Sequence, residues 1–162
     1  MSRFTFTFLI YILIWTAFTS SFDPQELVTG AVLSFIVATF SYKSFTSEGL
    51  SYLHPRKLFY IVKYLIVFFI ALVKANFDVA WRVINPKLPI NPGIVTYKTN
   101  LKSDTAKMFL ANSITLTPGT LTVDVIDDKL YIHWIDVKST DPETIYKEIG
   151  AAFEEILKEI FQ

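Results

Sequence analysis

The chain has 162 residues, 52% hydrophobic and 19% charged, with 15 Lys/Arg balancing 15 Asp/Glu and a mean hydropathy of +0.41. This composition excludes a disordered polyelectrolyte and departs from the roughly 25% charged usage of soluble domains. There is no basic excess to support nucleic-acid binding, and with no cysteine the chain has no disulfide, thiolate nucleophile or cysteine-ligated metal.

The charge is unevenly divided. Residues 1–92 hold 8 Lys/Arg and 4 Asp/Glu, a net of +4, whereas residues 93–162 hold 7 and 11, a net of −4. The first half is built of long apolar runs. Phe4 to Phe22 contains no charged residue, and its 19 positions suffice for one helical span at about 1.5 Å per residue across roughly 30 Å of hydrocarbon. The run exceeds a signal-peptide core and lacks a clear small-x-small cleavage site, so it is expected to remain as a span. Ser20-Ser21-Phe22-Asp23-Pro24 breaks it, with Asp23 placed to cap a second helix and Pro24 in its first turn. Leu27 to Tyr42 is again free of charge, and Glu26 and Lys43 can snorkel at its ends. Spans over about 4–22 and 26–43 are therefore expected to form a tight transmembrane hairpin.

A third helix is expected over about 57–84. At about 100° per residue, Lys57, Lys63, Lys74, Asp78 and Arg82 share one sector about 120° wide, an amphipathic stripe. Such a helix either lies at the membrane interface or crosses with its stripe against partner helices. Lys63, Lys74 and Arg82 are candidate membrane-interface charges. The hairpin tip has no Lys or Arg, whereas Arg3, Lys43, Arg56 and Lys57 lie on its other side. The positive-inside tendency places those four in the cytoplasm. It favours two clear spans with an interfacial or partly inserted third helix.

Residues 85–93 form a linker whose three prolines forbid helix. The remainder, 94–162, reads as a small soluble α/β domain. Ile94 to Thr99 is strand-like, and Ser103 to Asn112 is helical with Ser103 as cap. Ser113 to Thr120 reads as a connection ending in a Pro-Gly turn. Leu121 to Ile126 and Leu130 to Val137 form a hairpin about Asp127-Asp128, and Asp141 to Phe161 is a closing helix with Pro142 in its first turn. The order β-α-β-β-α is a split α/β arrangement, ferredoxin-like without its last strand. The expected fold class is thus membrane α plus small α/β.

Catalytic signatures are missing. No Gly-rich phosphate loop, HExxH or G-x-S-x-G occurs. His54 and His133 are the only histidines and are not at ligand spacing. Asp124, Asp127 and Asp128 read as turn formers rather than a calcium site. No catalytic residue, metal or cofactor is expected.

The run Leu110-Ala111-Asn112-Ser113-Ile114-Thr115-Leu116-Thr117-Pro118-Gly119-Thr120-Leu121-Thr122-Val123-Asp124 resembles the signature of the E subunit of Mrp-type multisubunit monovalent cation/proton antiporters. The stretch from Lys74 through Asn76 and Asp78, the Pro86–Pro92 linker, and Leu130-Tyr131-Ile132-His133-Trp134 fit the same pattern. The resemblance extends over the whole chain. It implies an accessory or assembly subunit in a bacterial or archaeal plasma membrane, with a cytoplasmic C-terminal domain, and other antiporter subunits and lipid as partners. The large subunits of such complexes carry the intramembrane charges that move ions. Asn76, Asp78, Asn112, Thr115, Thr117, Pro118, Gly119, Thr120 and Asp124 are then candidate subunit-interface or structural-motif residues. The alternative is a free-standing membrane-anchored module whose domain recruits a ligand or partner.

Overall fold

The computed structural model describes residues 2–45 and 54–161. The chain divides into two compact units, residues 1–55 and 56–162. The first is a helical hairpin of α1 (Ser2–Thr19) and α2 (Pro24–Phe45). Ser20 takes a left-handed φ of 50° at the bend. The Asp23 carboxylate then accepts the Gln25 N–H at 3.0 Å, the cap expected before Pro24. Gly30, Ser34 and Ala38 form a buried seam of small residues every fourth position along α2. A Cβ at Gly30 would sit 2.3 Å from the Trp15 ring. Small side chains allow this close helix approach where lipid supplies no hydrophobic drive between helices. The Trp15 indole N–H donates to the Glu26 carbonyl at 3.0 Å, and Phe4 and Phe8 meet Phe35 edge-on.

The second unit joins a long helix, α3 (Pro55–Ile84), to an α/β domain. The domain contains β1 (Gly93–Lys98), α4 (Asp104–Leu116), β2 (Thr120–Ile126) and β3 (Lys129–Trp134). It ends in α5 (Pro142–Ile145), a π-helical turn at Tyr146–Gly150, and α6 (Ala151–Phe161). The sheet order is β1-β3-β2 with both pairings antiparallel, so β1 and β2 run parallel on either side of β3. This is the expected split α/β topology. Val95, Tyr97, Leu130, Ile132 and Trp134 alternate inward and pack with Leu110, Ile114, Phe153 and Leu157. Val123 is an extra residue in β2, since pairing passes from Thr122↔Ile132 to Asp124↔Tyr131.

Most element ends shift by one to three residues from those read in the sequence, and three elements differ in ways that have a physical reason. α4 runs on to Leu116, because burial of Ser113 and Ile114 outweighs the weak helix propensity of the Ser, Ile and Thr that follow Asn112. β3 ends at Trp134. Residues 135–137 instead bond the linker, with Asn91 N–H donating to the Ile135 carbonyl at 3.1 Å and Val137 N–H to the Asn91 carbonyl at 2.8 Å. The closing helix contains the π turn. There Gly150 lets the Tyr97 ring approach, since a Cβ would meet it at 2.7 Å.

Glu154 is wholly buried beneath the sheet. Its carboxylate accepts the Tyr97 hydroxyl at 2.9 Å, the Thr99 hydroxyl at 2.8 Å and the Asn100 N–H at 2.9 Å, with Lys158 Nζ at 3.6 Å. Burial, followed by the nearby Glu154 charge, pushes the Tyr97 phenol far above the usual tyrosine range. Four groups thus offset the desolvation of one carboxylate and tie α6 to the end of β1. Glu154→Ala strands these donors and is expected to cost about 3–5 kcal/mol, with Glu154→Gln costing less. Thermal unfolding of the full chain in detergent checks both, and an unchanged midpoint in Glu154→Ala would refute the assignment.

Candidate functional site

The polar face of α3 meets the Pro-Gly turn and the exit of β3 around a groove of about 370 Å³. Arg82 organises it. Its Nε donates to Asp78 Oδ2 at 2.7 Å, one helical turn earlier. Its Nη1 donates to both Asp136 Oδ2, at 2.9 Å, and the Pro89 carbonyl. One guanidinium therefore ties three places together: the last turn of α3, the proline linker and the segment after β3. The Arg82 side chain is only 12% exposed, against 27% for Asp136 and 54% for Asp78. The planar fork of arginine suits this shared role, which a lysine ammonium could not fill.

The turn is fixed by its own threonines. Thr117 Oγ1 donates to the Ser113 carbonyl at 2.8 Å, and Thr120 Oγ1 to the Ile114 carbonyl at 2.7 Å. Thr115 Oγ1 accepts the Thr122 N–H at 3.1 Å, and Thr122 Oγ1 donates to the Ala111 carbonyl at 3.1 Å. These hydroxyls close the C-terminus of α4 onto β2. Gly119 follows Pro118 with φ +95°, a conformation natural to glycine. Its carbonyl accepts the Ile135 N–H at 2.8 Å. A Cβ there would lie 3.0 Å from Ile135 Cγ2 and 3.7 Å from Val79 Cγ2 of α3.

Among the sequence-derived candidates, Lys74, Asp78, Arg82, Thr117, Pro118, Gly119 and Thr120 line this one groove. The others lie elsewhere. Exposed Asn76 donates to the Leu72 carbonyl at 2.8 Å within its own helix. Asn112 is exposed on α4, and Lys63 is exposed with its ammonium 5.9 Å from the Tyr60 ring centroid. Asp124 sits at the β2 bulge and accepts the Val125 N–H at 2.8 Å. Asp127 has φ 54° in the hairpin turn, and its carbonyl accepts Lys107 Nζ at 2.7 Å. Asp136, Lys138 and Glu148 belong to the groove but gave no local sequence signal. Lys138 and Glu148 pair at 2.6 Å. Lys74 has no ion-pair partner among the described residues, which also hold no cluster of three or more metal-ligating side chains. The arrangement joins and orients elements, and its charges are largely committed to one another.

A helical hairpin with long charge-free runs, an amphipathic helix and a split α/β domain together have the make-up of a subunit of a membrane complex. The family model described as "Na+/H+ ion antiporter subunit" matches residues 8–160, and the chain belongs to this MnhE family. Na(+)/H(+) antiporter subunit E1 of Staphylococcus aureus (strain bovine RF122 / ET3-1) is 34% identical over 148 residues, covering 90% of this chain and 89% of the relative. The same subunit of strain JH9 gives the same identity and coverage. Among solved structures, a chain of the membrane-bound sulfane sulfur reductase (MBS), an archaeal respiratory membrane complex, is 51% identical. It superposes with a TM-score of 0.88, covering 99% of this chain and 100% of that one. The family model and the curated relatives place the chain with transporter subunits rather than enzymes.

Two substitutions test the site. Gly119→Val combines an unfavourable φ with contact against Ile135 and is expected to cost about 1–3 kcal/mol, read as a lowered unfolding midpoint with α4 otherwise intact. Asp136→Asn weakens one arm of the Arg82 cluster and is expected to cost about 1–2 kcal/mol. High salt should shrink the difference from wild type for Asp136→Asn and not for Gly119→Val, because only the first effect is electrostatic.

Proposed function

We propose that this chain is an accessory, assembly-supporting subunit of a multisubunit monovalent cation/proton antiporter module. The family match over residues 8–160 carries the antiporter assignment. The accessory role is supported by the charge distribution. Phe4 to Phe22 and Leu27 to Tyr42 contain no ionisable acid, base or histidine that could relay a proton. The acid of α3, Asp78, is neutralised by Arg82. In this reading α1 and α2 cross the plasma membrane, the basic residues Arg3 and Lys43 face the cytoplasm, and the α/β domain works on that side. Asn112, Thr115 and Asp124 are then surface positions open to neighbouring subunits, while Thr117 to Thr120 hold the domain's shape.

The 51% identical chain of a respiratory membrane complex favours a second reading. In that reading the chain serves a respiratory membrane complex. Composition distinguishes the two. A C-terminally tagged chain is purified from native membranes in mild detergent. A particle far above 18.6 kDa containing large antiporter-type subunits is expected. Redox cofactor absorbance in that particle selects the second reading, and its absence the first. A lone monomer or small homo-oligomer across detergents would overturn both. Deletion of the chain is expected to lower complex yield. Normal assembly and transport without it would refute the accessory role.

A further inference from the structure

We propose that α3 does not cross the bilayer but lies flat on its surface, with its apolar side in the acyl boundary and the α/β domain on its other side. The helix is long and apolar enough to span. Its packing within its own unit points the other way.

The domain follows α3 from end to end. Arg56 bonds Glu159 at 2.8 Å near the start. The Tyr64 hydroxyl bonds the Ser113 hydroxyl at 2.6 Å, and Phe68 packs on Phe153 with ring centroids 6.3 Å apart. Gly119 lies beside Val79, and Arg82 bonds Asp136 at 2.9 Å near the finish. From Arg56 to Arg82 is about 39 Å of helix axis, more than the roughly 30 Å hydrocarbon layer. A spanning α3 would carry its docked domain into that layer. The domain's Lys138–Glu148 and Lys158–Glu154 pairs and its open sheet face, with exposed Lys98, Lys129 and His133, would enter hydrocarbon with it. Each such group is costly there.

The opposite side of α3 has the character of an interfacial helix. Leu58, Val62, Leu65, Phe69, Val73 and Phe77 form a continuous exposed face, with Phe69 at 63% and Phe77 at 73% exposure. At about 100° per residue, Lys63 and Lys74 fall about 20° apart on one rim of this face, beside Trp81. That places two exposed cations and an indole at headgroup level when the apolar side is buried about 5–10 Å deep. A bilayer bearing anionic headgroups is therefore the occupant of this face, rather than a second copy or a partner's helix.

The chain has no cysteine, which allows a clean test. Leu58→Cys, Val62→Cys, Phe69→Cys, Val73→Cys and Phe77→Cys are made singly in the full chain. Each is spin-labelled and reconstituted, with any subunits that co-purify, in vesicles of phosphatidylglycerol and phosphatidylcholine. Relaxation by oxygen and by a water-soluble nickel chelate reports label depth. All five labels are expected at nearly the same shallow depth, about 5–10 Å below the phosphates. A profile that deepens to about 15 Å at Phe69 and becomes shallow again at Leu58 and Phe77 would show a span and overturn the proposal. Labels that are immobilised but reached by neither reagent would place a protein partner on the face, and labels open to the chelate would leave it in water. Either result also overturns it. The substituted residues lie away from the domain, so folding is not at stake. The outcome does not depend on which subunits accompany the chain.

Discussion

α3 has to satisfy two environments along one cylinder. One side must match a folded domain, with tyrosine and phenylalanine rings in its middle and arginines at both ends. The other carries only apolar side chains over many turns apart from Asn76, whose amide bonds its own backbone. Backbone groups of a helix are satisfied internally, so only the side chains decide which surroundings each face accepts. The rest of the second unit follows from this division. α4 and α6 lie between the sheet and α3, and the turn after α4 must come close enough for Val79 to pass Gly119. The linker has to return the chain to β1 past the fixed end of α3, where Arg82 holds both the Pro89 carbonyl and Asp136.

The same constraint explains why charged residues on an apolar helix need not mark an ion path. A lone acid near a membrane is costly, and relays depend on acids or bases that can change protonation. Asp78 lies one turn from Arg82 and shares its guanidinium with Asp136. The pair holds the acid in a fixed geometry one turn from its partner. The threonines of the turn follow the same logic. Their hydroxyls bond backbone groups of α4 and β2, where a helix end would otherwise leave carbonyls without donors.

Much of this fold was legible where one physical signal dominated. The alternation in Leu130-Tyr131-Ile132-His133-Trp134 gave the central strand and its face, and Ser103, Asp141 and Asp23 gave helix starts because capping is local chemistry. The amphipathic stripe of α3 was visible, as was the grouping of Asp78 and Arg82 one turn apart. What could not be read depended on contacts distant in sequence. Asp136 meets Arg82 across 54 residues. Glu154 looks like one more acid on a charged helix, and only the end of β1 folding over it makes it a buried acceptor. The extension of α4 through Ser113 and Ile114 is a tertiary effect, since packing overrides weak local propensity. The Gly30-Ser34-Ala38 seam was present as a spacing of four. It gains meaning only when Trp15 is seen against Gly30.

The small sheet gives these pieces a common rationale. Its three strands lie in the order β1-β3-β2. About 70 residues bury a limited core, so such a domain gains from further layers. This chain draws on its own preceding helix. α3 supplies the outer layer through Tyr64, Phe68 and Val79, and the linker residue Asn91 adds backbone and side-chain bonds to residues 135–137. The helix that completes the domain is also the one that presents an apolar face to its surroundings. The side chains that seat α3 on the domain therefore also set which of its faces is left exposed.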